Sequence, residues 1–368
     1  MKATYWLKIT SIYIMIIAML VGSVVAFDWH ESIESSCEGY YSADALWTEN
    51  YDTYSDMFEV ADVVALGTIV SQIPELRSDL VFTRSLVSIG QVFSGEIAPG
   101  TIVPIIQTGG ELDTYFTPAI TEAPIMDVET EYLLFLRYVD DPIYGEYYLI
   151  LGGYLGYVDY STVDVSIAYI MSHESNIAEY LDSKYPIDKS HEAEHSTYSV
   201  TSNATYTVGG RFHSYTPKVY YRTTVSSNML SYVKNGILAW NNGTSTHGAT
   251  VSTVSSASAA DVTVSAGAYG DTSWAGYTWK YDEYGNAADD ENIYYTAYIG
   301  LNTSYSISSA SAWKLVAMHE MGHVFGLGHD ESVASTIMRT LDSAVINSGL
   351  TSPTSYDYNG VRVAYTYG

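Results

Sequence analysis

The chain has 368 residues, with 42 Asp and Glu against 15 Lys and Arg for a formal charge of -27, and 47% of it is hydrophobic. That acidity argues against a nucleic-acid binder, which needs a basic footprint, and the apolar content argues against a disordered chain. A single cysteine excludes an intramolecular disulfide framework and any multi-cysteine zinc module.

The charge is unevenly spread. Residues 27–200 hold 30 acidic and 5 basic side chains, whereas residues 201–368 hold 12 and 8. Two differently built parts are expected. Residues 1–26 read as a signal peptide: Lys2 and Lys8 precede an apolar run from Ile9 to Val21, and Val24 and Ala26 give a small-residue cleavage pattern. The flanking pattern favours cleavage over an uncleaved anchor, and no later segment is long and apolar enough to span a membrane. The mature protein is expected to be secreted.

Residues 27–56 form an acidic N-terminal segment that contains Cys37. From 57 to 160, short β-type runs at 61–70, 80–89, 101–110, 131–139 and 147–156 alternate with Gly and Pro. This pattern predicts a small antiparallel β-barrel or sandwich. It is similar to a β-barrel module of exported bacterial proteins, a likeness that implies no chemistry. Residues 161–204 read as a helix, with helical spacing over 163–182, and a polar linker. His191 and His195 lie four apart in that linker with no third ligand type nearby, so they are expected to be solvated.

From 205 to 368 the order is strand, helix, strands, helix. A strand is expected at 211–225, a helix on the spacing of Leu230, Val233, Ile237 and Trp240, and strands at 260–267 and 292–302. The next helix, capped by Ser308 or Ser309, carries His319 and His323 one turn apart, so both imidazoles project from one face toward a single Zn²⁺. Glu320 sits beside them, within reach of a metal-bound water as its general base. Gly326 stands where the chain must turn with positive φ to bring His329 back to the same metal. Three imidazoles leave the fourth position open, as a catalytic zinc requires.

The segment His319-Glu320-x-x-His323-x-x-Gly326-x-x-His329, with Met338 nine residues further on, resembles the metzincin metallopeptidases. The order of elements around it is similar to a matrixin (matrix metalloproteinase-like) catalytic domain: Ala239–Trp240 at a helix end, the 260–267 strand, a strand ending at Gly300–Asn302, the zinc helix and a closing helix at 356–368. The resemblance covers about the last 165 residues. It implies an α+β fold: a metzincin-type domain with a twisted mixed sheet, an active-site helix and a C-terminal helix, preceded by the small β-barrel or sandwich. It further implies a secreted zinc endopeptidase acting on protein or peptide substrates, with the 292–302 strand as the sheet edge on which substrate pairs.

Departures are visible. Asp330 follows the third histidine where matrixins usually carry serine, and the histidines of a second, structural zinc are missing between residues 261 and 300. Cys37 lacks the flanking residues of the thiol that silences matrixin zymogens. Matrixin-like domains often hold structural Ca²⁺, for which Asp282, Glu283, Asp289, Asp290 and Glu291 are the candidate carboxylates; a solvated acidic loop is the simpler expectation. The alternative function is a cell-surface binding or adhesion protein whose peptidase domain is vestigial or processes only its own chain.

Overall fold

The structure, a computed structural model, describes residues 43–49, 51–120, 123–153, 155–160, 177–187, 204, 207, 210–288, 292–305, 311–340 and 349–367. The signal-peptide, Cys37, His191, His195, Ser308, Ser309 and 289–291 expectations lie outside these residues. The described residues form one compact unit.

The first element is β1 (Ala43–Trp47), drawn from the segment expected to be only acidic and polar. Helix α1 (Tyr54–Val60) follows; Thr53 caps it by accepting the Asp56 N–H. Strands β2 (Val63–Arg77) and β3 (Leu80–Ser94) make a long hairpin, with β4 (Ile102–Thr108) antiparallel to β3. A small hairpin, β5 (Gly110–Leu112) and β6 (Tyr115–Thr117), precedes β7 (Glu131–Asp141), β8 (Gly145–Ile150) and β9 (Tyr157–Asp159). Pairing runs β2-β3-β4-β8-β7, and β7 pairs again with β2, so five strands complete a circuit. Register shifts along β2 and β3 supply the bends that such a return needs. Inside lie Ala65, Ile69, Val87, Ile89, Ile105, Leu134 and Leu136. The described part of the expected 163–182 helix is α2 (Ile177–Lys184), packed with α1 on the outside of the circuit.

The second layer begins with β10 (Arg211–Phe212) and β11 (Lys218–Tyr221), not one strand over 211–225; Pro217 lacks the N–H that a continuous ladder would use. Helix α3 (Ser227–Leu238) is capped by Ser226, whose hydroxyl accepts the Met229 N–H. Strands β12 (Ser252–Thr253), β13 (Val262–Gly267), β14 (Trp274–Tyr281), β15 (Ile293–Tyr294) and β16 (Thr296–Asn302) follow, then helices α4 (Ala312–Val324) and α5 (Ser355–Tyr367).

The main sheet has the order β1-β14-β16-β13-β11-β12, parallel among β16, β13, β11 and β12, with β14 antiparallel to both β16 and β1. One face rests on α3 and α4 through Val233, Ile237, Trp240, Val264, Ile299 and Val316. The other rests on the circuit through Phe82, Tyr147, Leu149, Tyr277, Trp279 and Tyr298. Sequence reasoning missed β14, whose residues are buried on both faces except for Tyr281. The expected substrate edge is therefore corrected: β16 is interior, held between β14 and β13.

Candidate metal centre

Helix α4 is buried at every residue but Lys314, which its mostly small and apolar residues allow. Its cap position is Ser311, whose side chain makes no capping hydrogen bond. His319 and His323 project from one face with ring centroids 4.7 Å apart. The helix ends at Phe325, and Gly326 turns the chain at φ 91°. A side chain there would also strike the Gly210 carbonyl at 2.4 Å, so glycine is needed twice over. The turn brings the His329 ring to 5.3 Å from His319 and 4.9 Å from His323. One ligand nitrogen from each of the three lies within 4.8 Å of the others.

Main-chain carbonyls orient two of the rings. His319 Nδ1 is 2.8 Å from the Ile337 carbonyl, and His323 Nδ1 is 2.8 Å from the Leu327 carbonyl. A carbonyl only accepts, so each Nδ1 carries the proton and each Nε2 presents a lone pair. Those two Nε2 atoms face each other at 3.0 Å. Burial, then the neighbouring imidazoles, holds His319 and His323 well below the usual histidine pKa, so a proton does not fill the gap. A cation relieves the repulsion. Two nitrogens of one tetrahedral zinc stand about 3.3–3.4 Å apart at bond lengths of about 2.0–2.1 Å, close to this spacing. The residues fit Zn²⁺.

Met338 lies beneath. It is fully buried, and a Cβ on Gly322, between the two helix histidines, would sit 2.3 Å from its sulfur. Its amide donates to Thr336 Oγ1, whose hydroxyl donates to Asp357 on α5, and its carbonyl accepts the Asp330 N–H. The closing helix thus fixes the turn that supports the site.

Glu320 is fully buried under β14. Thr278 donates its hydroxyl to Glu320 Oε2 at 2.5 Å, while Oε1 has no hydrogen-bond partner. Burial raises this carboxyl to about 8; Thr278 opposes the rise and Asp44 adds to it. Gly276 leaves the necessary room, since a Cβ there would lie 2.1 Å from Oε1. Asp44 on β1 forms a buried ion pair with Lys280 on β14 at 2.7 Å, and its Oδ2 is 3.7 Å from His323 Nδ1.

The structure thus brings together His319, His323, His329, Met338 and Gly326 as the motif requires. Sequence reasoning missed Thr278, Gly276, Lys280 and Asp44, which lie on strands it did not assign. Asp282 accepts from the backbone of Tyr284 and from both the backbone and side chain of Asn286, so it stabilises its own turn. Among the described residues the three histidines are the one cluster suited to a metal. A scan against protein families matches the matrixin peptidases over residues 168–366, more than half of the chain and beginning upstream of Thr205. A search of curated proteins finds no match.

Proposed function

Because the chain belongs to the matrixin family of metallopeptidases, we propose that it is a secreted zinc endopeptidase in which His319, His323 and His329 hold the metal and Glu320 is the general base. Two opposed imidazole lone pairs 3.0 Å apart carry this reading. Zn²⁺ at that point supplies a Lewis acid that activates water and polarises a peptide carbonyl. The Oε1 atom of Glu320, without a protein donor, is available to take a proton from water and pass it to the leaving amine. Thr278 keeps the other oxygen fixed so that the transfer has one geometry.

Secretion rests on the reading of residues 1–26, and the described residues contain no helix long and apolar enough to cross a membrane. The acidic five-strand circuit is read as the small barrel expected at 57–160, a pro-region or targeting module. The test measures zinc content and cleavage of an unstructured protein for the wild type and Glu320→Ala. One zinc in each, with cleavage in the wild type alone, is expected. Failure to bind zinc, or equal cleavage by both, overturns the reading.

A further inference from the structure

The outer edge of β14 runs over Glu320, and the chain itself covers it. Strand β1 pairs antiparallel along it, with Asp44 opposite Thr278 and Leu46 opposite Gly276, the two β14 positions that hold and make room for Glu320. On its far side the Trp47 N–H donates to the Thr340 carbonyl, two residues past Met338. Five residues thus lie along β14, and the last of them also meets the segment just past the methionine through a main-chain bond. That is the setting in which an extended peptide is bound by strand addition.

The plug is anchored by side chains. Asp44 pairs with Lys280, and Leu46 is fully buried in the core shared with α3 and α4. Trp47 is packed against Gly153, where a Cβ would lie 2.3 Å from the indole. Just beyond, Glu49 pairs with Arg137 of β7, and Arg137 also holds Asp271 at 2.9 Å, ahead of β14. Of these anchors, Arg137 belongs to β7 of the acidic circuit and Gly153 to the turn that follows β8. With β1 in place Glu320, His319 and His323 are entirely shielded from solvent and His329 is 6% exposed.

We propose that Ala43–Trp47 is a cis-inhibitory strand, clamped over the peptide-binding edge of β14 by the five-strand circuit, and that substrate gains the site only when this strand leaves. The inference rests on the peptidase reading above for its consequence, though not for its geometry. It gives the circuit a role: holding the plug. It needs no thiol, since the contacts are main-chain pairing, the Asp44–Lys280 and Glu49–Arg137 ion pairs and two apolar anchors.

The test uses the full zinc-loaded chain, carrying Leu46→Asp in one variant and Trp47→Ala in a second, the latter covering the case that the first does not fold. Neither residue belongs to the proposed catalytic machinery. Two readouts are taken: initial rate on an unstructured protein, and binding in trans of a labelled synthetic peptide spanning residues 42–49, followed by anisotropy. Binding is measured also in the Glu320→Ala background, where activity plays no part. Rates at least about tenfold above wild type are expected, with the peptide binding the variants far more tightly than wild type and suppressing their activity. Equal rates with no peptide binding to the folded variants overturn the inhibitory strand and leave the peptidase intact. Peptide binding by zinc-loaded variants that cleave nothing supports the occupied edge and sinks the peptidase reading.

Discussion

Thr278 reaches across from β14 to give Glu320 its hydrogen bond at 2.5 Å, joining the strand that would receive a peptide to the carboxylate that would serve as its base. Replacing Thr278 with Val keeps the shape and removes the donor. Both carboxylate oxygens then lie buried without the threonine bond, a loss of about 1–3 kcal/mol in stability. The expected kinetic result is a fall in kcat of about 10- to 100-fold with bound zinc unchanged. Thr278→Ser, which restores the hydroxyl, is expected to recover most of the rate. A drop in zinc content to match the drop in rate would instead locate the effect in metal binding.

The zinc-free chain carries a distinct pH signature. Burial raises Glu320 from 4.5 to about 8. The folded state therefore holds a proton that the unfolded state has released between those values. The contribution is fully present below pH 4.5, declines as pH rises and is lost above about 8. Glu320→Gln has no such proton. Denaturant melts of the zinc-free proteins are expected to show the wild type losing about 3–5 kcal/mol relative to Glu320→Gln between pH 5 and 8. The histidine titrations are common to both proteins and cancel in the difference. A flat difference would mean that the carboxyl is solvated in the absence of metal.

Gly326 is expected to be irreplaceable. With φ at 91° and the Gly210 carbonyl only 2.4 Å from any added Cβ, alanine forces the turn to open. The cost is about 1–3 kcal/mol, and it falls on the path that returns His329 to the site. Zinc affinity in Gly326→Ala is expected to fall at least tenfold, read by competition with a chromophoric chelator, while Gly285→Ala, at φ 84° with open space around it, leaves affinity unchanged.

The motif residues were legible because their chemistry is local. His319, Glu320 and His323 share one helix, and Gly326 must turn where it stands to recover His329. The five β-type runs of the circuit were legible from their strand-forming residues and the Gly and Pro between them, and their observed spans keep the expected order. What surrounds the carboxylate was not. Asp44 meets Lys280 across more than 200 residues of chain, and the pairing of β1 with β14 leaves no periodic trace in a five-residue strand. Strand β14 itself reads as a run of Trp, Tyr, Gly and Thr because both its faces are covered, so the alternation that reveals a half-exposed strand is missing. Pro217, by contrast, was visible and sufficient to split the strand expected at 211–225.

Asp79 makes the last prediction, because it ties the acidic circuit to the sheet that carries the site. It sits at the β2–β3 turn, yet its carboxylate accepts from Tyr269 at 2.7 Å, Tyr298 at 2.6 Å and Ser265 at 2.9 Å, and pairs with Arg222 at 2.6 Å. Burial alone would raise its pKa; the hydroxyl bonds and Arg222 outweigh burial and bring it below 3.8. A depressed folded pKa means that the stabilisation is present above the unfolded value and disappears as pH falls through the folded one. Asp79→Asn is expected to cost about 1–3 kcal/mol at pH 7, and this difference should shrink below pH 4. The circuit and sheet share one core through Phe82, Tyr147, Tyr277 and Trp279, so the wild type is expected to unfold in a single transition. If Asp79→Asn melts in two steps, this half-buried carboxylate couples the layers; if it melts in one step at lower temperature, the aromatic core does so without it.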